Sequence, residues 1–214
     1  MGDPKYYSPL EERINISSHA IGLFLSVIAL ILLLMHAIEH GNALHVFSFA
    51  VFGISLIILY SASVAYHSAK SPVHRSRLRI VDHAAIYVLI AGTYTPFTVI
   101  TLAGTTGWTL FAVTWGMALA GISLKLFFTG KYKLLSTSMY LLMGWIMVFA
   151  IKPLANNLAA EGLYWLIAGG LAYTIGAVLY GIKSIKMNHA IFHVFVLAGS
   201  ACHVAAVLFY VLPI

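Results

Sequence analysis

The last apolar stretch of the chain, NHAIFHVFVLAGSACH over residues 188–203, carries three histidines among Ile, Phe, Val, Leu, Ala and Gly. His189 and His193 are four residues apart and share one face of a helix. His203 lies about 15 Å further along the same axis. An imidazole facing lipid gains nothing over Leu, so these side chains point to metal ligation, proton handling or buried hydrogen bonds. Upstream, YSASVAYH (60–67) sets Ser63 and His67 four apart, and VDHAAIY (81–87) introduces Asp82. A carboxylate in an apolar span is costly unless paired or solvated, which makes Asp82 a functional candidate. Three imidazoles with a fourth position open form the ligand set of catalytic zinc sites, where bound water ionises near neutral pH. We assign His67, His189 and His193 as candidate Zn²⁺ ligands. Asp82 would hold the water or orient a ligand ring, and Ser63 would donate a hydrogen bond behind them. His19 and His203 are candidates for supporting hydrogen bonds. Spacing alone leaves a metal-free hydrogen-bonded network, a proton or ion path, and no shared site as alternatives.

The elements that must position these groups follow from composition. Charged residues make up 8% of the chain and apolar ones 61%, with mean hydropathy +0.95. A soluble domain carries roughly 25% charge, so lipid is the solvent that suits this chain. Seven apolar stretches approach the length needed to cross about 30 Å of hydrocarbon: 19–38, 44–68, 81–101, 108–128, 134–152, 163–183 and 190–212. All are expected to be helices, because backbone polar groups in lipid must be satisfied internally. Short connections make sequential helices antiparallel neighbours, giving an all-α seven-helix bundle in a single integral membrane domain over 1–214. Polar opening residues followed by Glu11, Glu12 and Arg13 do not match a cleavable signal peptide.

The net charge of +6 reads as topology rather than as nucleic-acid binding. Lys5 and Arg13 precede the first span. Lys70, Arg75, Arg77 and Arg79 fill the second connection, Lys125, Lys131 and Lys133 mark the fourth, and Lys183 and Lys186 the sixth. That puts 11 of the 12 Lys and Arg on one side and only Lys152 on the other. The positive-inside rule then gives a cytoplasmic N-terminus and an outside C-terminus. In that orientation His19, Ser63, His67, Asp82, His189 and His193 all lie near the cytoplasmic face. His36, His40 and His45, with Glu39, belong to an outside connection and are expected to be solvated. His74 sits in the Arg-rich loop as charge or headgroup contact, and His83 points about 100° away from Asp82. Gly116, Gly121, Gly169, Gly170, Gly176 and Gly181 are expected to allow close helix approach. Cys202 is the only cysteine, which excludes an intramolecular disulfide and a cysteine-rich metal site.

The stretches EERINISSH (11–19), SVAYH (63–67) followed by DHAAIYVLIAGTYTP (82–96), and NHAIFH (188–193) with His203 resemble the hemolysin III family of bacterial membrane proteins. That family is related to the progestin and adiponectin receptors and more distantly to alkaline ceramidases. The resemblance covers nearly the whole chain and implies a seven-helix bundle with zinc near the cytoplasmic face of the bacterial plasma (inner) membrane. Carried over, its zinc-binding histidines fall on His67, His189 and His193. Its aspartate beside zinc-bound water falls on Asp82, and its supporting serine on Ser63. One departure is Ala20, where family members commonly have Gly after the first-helix histidine. The zinc shell of the eukaryotic relatives implies amide hydrolysis of a membrane lipid. A receptor or homeostasis protein with structural zinc, and a pore-forming or cytolytic protein, stand as alternatives. No nucleic-acid partner is expected.

Overall fold

The computed structural model describes residues 5–128 and 133–213, so Lys131, Ile214 and the Lys133 side chain lie outside the described residues. The fold is all helical. The chain forms α1 (Pro9–His40), α2 (Ala43–Ser68), α3 (Pro72–Pro96), α4 (Gly104–Phe128), α5 (Lys133–Gly144), α6 (Ile151–Asn157), α7 (Ala160–Gly181) and α8 (Asn188–Ala206). Wider π-helical turns, Phe97–Leu102 and Val207–Val211, extend α3 and α8. Among the described residues, seven helical spans are long and apolar enough to cross a membrane.

Three spans depart from the sequence expectation, each for a local reason. Helix α1 starts at Pro9 rather than 19. Ser8 accepts the Glu11 amide at 3.2 Å, Pro9 suits the first turn, and Glu11 and Glu12 complement the positive end of the helix dipole. Helix α3 starts at Pro72 rather than 81, so His74, Arg75, Arg77 and Arg79 ride on its first turns instead of in a loop. The fifth span is broken: α5 tightens into a 3₁₀ turn, Ile146–Ala150, before α6. Pro153 accounts for this break, since its ring excludes the carbonyl of the preceding turn.

Helix α1 packs on α2, α2 on α3, α3 on α4 and α7 on α8, while α8 also packs on α1. Leu33, Ala37, Phe49, Phe52, Leu56, Phe97 and Val207 fill the middle of this arrangement. A Cβ added at Gly121 would enter the Tyr87 ring, one at Gly169 the His203 imidazole, and one at Gly176 the Phe195 side chain. Those glycines set close approaches. Gly116 and Gly181 meet nothing within 4 Å among the described residues and do not, contrary to expectation. Before α8, Met187 takes a left-handed conformation (φ 58°), and Asn188 donates to the Tyr180 and Ile182 carbonyls at the end of α7. That tie fixes where α8 begins, and therefore where His189 stands.

Candidate metal centre

The end of α2 and the start of α8 bring three buried imidazoles together. His189 Nε2 lies 3.0 Å from His67 Nε2 and 3.1 Å from His193 Nε2. One nitrogen from each of the three rings falls within 4.8 Å of the others. Their tautomers follow from what the opposite nitrogens do. His67 Nδ1–H donates to Glu12 Oε2 at 2.7 Å, and His193 Nδ1–H donates to the Asn15 carbonyl at 3.3 Å. Both Nε2 atoms are therefore bare lone pairs aimed at the same point. A single proton on His189 Nε2 would lie between two acceptors, whereas a cation satisfies all three nitrogens. Two nitrogens bound at about 2.0–2.1 Å around tetrahedral zinc lie roughly 3.3 Å apart, close to the spacings observed. The donor set and its tautomers fit a divalent metal with one ligand position open.

A second ring of contacts holds these imidazoles. Glu12 bridges His67 and Arg75, taking a short ion pair from the Arg75 guanidinium on Oε1 and the Tyr7 amide on the same atom. Arg75 is 2% exposed, and it also donates to the carbonyls of Lys5, Tyr66, His67 and Ala69. A buried guanidinium with that many acceptors clamps the end of α2 to the segment before α1. Tyr7 stacks on His189 with centroids 4.5 Å apart, and Lys5 lies over the Tyr7 ring. Burial pushes the Tyr7 phenol well above its usual range, so the segment before α1 covers His189 with a neutral ring.

The third group links Asp82 to this centre. Ser63 stands beside the Asp82 carboxylate, and its oxygen lies 2.7 Å from His19 Nδ1. His19 Nε2 is buried and has no hydrogen-bond partner among the described residues. The His19 ring in turn stacks on His193, 3.6 Å between centroids.

The remaining histidines stand elsewhere. His203 Nε2 bonds the Leu166 carbonyl at 3.2 Å beside the Tyr173 ring, deeper along α8 than the three-imidazole group. His36 Nε2 meets the Leu212 carbonyl at 2.7 Å, a contact between α1 and the chain's end that replaces the expected solvation. His45 helps close the capping box of Asn42 at the start of α2. Sequence reasoning gave Glu12, Asn15 and Arg75 no role at the centre. Their signal was present: Glu12, Asn15 and His19 follow the i, i+3, i+7 spacing of one helical face. It stayed hidden because the expected first span begins at residue 19, well inside α1.

A family model described as Haemolysin-III related matches residues 7–204. Hemolysin-3 of Bacillus cereus is 48% identical over 203 residues, covering 95% of this chain and 93% of the relative. A Hemolysin-3 homolog of Bacillus subtilis (strain 168) is 46% identical over 200 residues, covering 94% of each. More distantly, the human monocyte to macrophage differentiation factor is 29% identical over 165 residues, covering 73% of this chain and 67% of that protein.

Proposed function

The chain belongs to the haemolysin-III-related family, and we propose that it is a zinc-dependent hydrolase of membrane-lipid amides. In this reading it is a single integral membrane domain whose centre lies toward the cytoplasmic face. The carrying observation is the convergence of two bare Nε2 lone pairs on a third imidazole. A zinc ion bound by His67, His189 and His193 would supply Lewis acidity to a carbonyl and acidify a water. Glu12 and the Asn15 carbonyl keep the protons of His67 and His193 on Nδ1, so both rings present unprotonated Nε2. Asp82 takes the proton that the attacking water gives up and returns it to the nitrogen as the C–N bond breaks. The products are a fatty acid and a free amine. Ser63, paired with His19 and beside Asp82, steadies the carboxylate and is not the nucleophile.

Zinc-loaded protein incubated with a membrane-lipid extract should release free fatty acid, followed by mass spectrometry. Asp82→Asn should retain zinc and lower release by about 10²–10⁴-fold, the usual cost of losing a general acid–base. Equal release by both proteins, or none from any acyl amide, would sink the hydrolase reading. The name of the Bacillus cereus relative supports a second reading, membrane lysis. Dye escape from liposomes on adding purified protein, unaffected by Asp82→Asn, would favour that one.

A further inference from the structure

Asn15 has no exposed surface, and among the described residues neither Oδ1 nor Nδ2 of its side chain has a hydrogen-bond partner. Buried amides are almost always paired, so this one calls for a ligand. Its position says where. Glu12, Asn15 and His19 lie on one face of α1, with Glu12 on His67 at one end and His19 on His193 at the other. Between them, the Asn15 carbonyl receives His193 Nδ1. The Asn15 side chain therefore faces the same space as the imidazoles.

A carboxamide carries an acceptor oxygen that an N–H group can use. In a trans secondary amide the N–H points away from the carbonyl, so a substrate whose carbonyl faces the imidazoles turns its N–H elsewhere. We propose that Asn15 Oδ1 accepts this N–H and thereby selects lipid amides over the corresponding esters. Nδ2 is left to donate to a neighbouring oxygen of the same lipid. An ester sets an oxygen against Oδ1 instead of a donor, leaving the buried acceptor unpaired, which weakens binding by about 10–100-fold. This inference rests on the lipid-amide reading of the centre and sharpens it.

The test is binding, with turnover scored separately. Purified full-length protein in detergent is titrated with an N-alkyl fatty amide and with its matched ester, and occupancy is read by native mass spectrometry. Wild type should bind the amide about 10–100-fold more tightly than the ester. Asn15→Asp keeps an acceptor oxygen and should keep the preference, whereas Asn15→Leu should lose it while retaining zinc. Equal affinity of wild type for the two ligands, or no amide binding at all, overturns the proposal even where a variant does not fold. A preference undiminished in Asn15→Leu overturns it too. Preferential binding of an amide that wild type never cleaves would refute the hydrolase reading and leave the role of Asn15 standing.

Discussion

Glu12 has two side-chain partners of opposite demand. It takes a proton-bearing nitrogen from His67 and a permanent charge from Arg75. A carboxylate behind a ligand imidazole fixes the tautomer and raises ligand basicity, and its loss typically costs 10–100-fold in metal affinity. Glu12→Gln should therefore weaken zinc binding by about 10–100-fold, measured by competition with a chromogenic chelator. His67→Ala, His189→Ala and His193→Ala should each lose most of the metal, and His203→Ala should keep it, by elemental analysis of purified protein. Full zinc in all three ligand variants would remove the centre. The histidines were legible in the sequence because an imidazole in an apolar stretch has no ordinary reason to be there. Glu12 was not, since a charged residue ahead of a span has an ordinary reason in every membrane protein. Only the bridge from His67 to Arg75 separates the two cases.

Helix positions, as opposed to helix existence, show the same limit. Hydropathy finds the part of a helix that lipid covers, and the polar turns of α1 and α3 that carry Glu12, Asn15 and Arg75 fall outside that part. Glycines illustrate a second limit, because spacing does not reveal which face a neighbour occupies. Gly169 and Gly116 read alike in the sequence, yet one abuts His203 and the other meets none of the described residues. Gly169→Ala should accordingly destabilise the α7–α8 pair by about 1–3 kcal/mol, the range for overpacking. Gly116→Ala should be neutral or stabilising by up to about 1 kcal/mol, the helix-propensity gain. Denaturant titration in micelles, read by helical circular dichroism, checks both. A loss at Gly116 equal to that at Gly169 would mean that α4 has a partner on that face.

For the molecule as a whole, the charge bias predicts orientation. With Cys202 replaced by Ser, an exposed Arg77→Cys should react with an impermeant thiol reagent only in inverted vesicles, and a cysteine at exposed His40 only in intact cells. Labelling of Arg77→Cys from outside would reverse the orientation and move the centre to the opposite face. The packing of α8 against α1 joins the first helix to the last, and this has a consequence for how the protein is made. Glu12, Asn15 and His19 enter the membrane early in synthesis, while His189 and His193 leave the ribosome near its end. No nascent chain shorter than α8 holds more than one of the three imidazoles. For the proposed zinc centre, metal uptake would be the closing event of biogenesis, and a chain stopped at Lys186 should insert its earlier helices yet emerge without zinc. Co-expressing the missing α8 as a separate segment should restore the metal, because only the docking of two finished helices, not their covalent connection, assembles the centre.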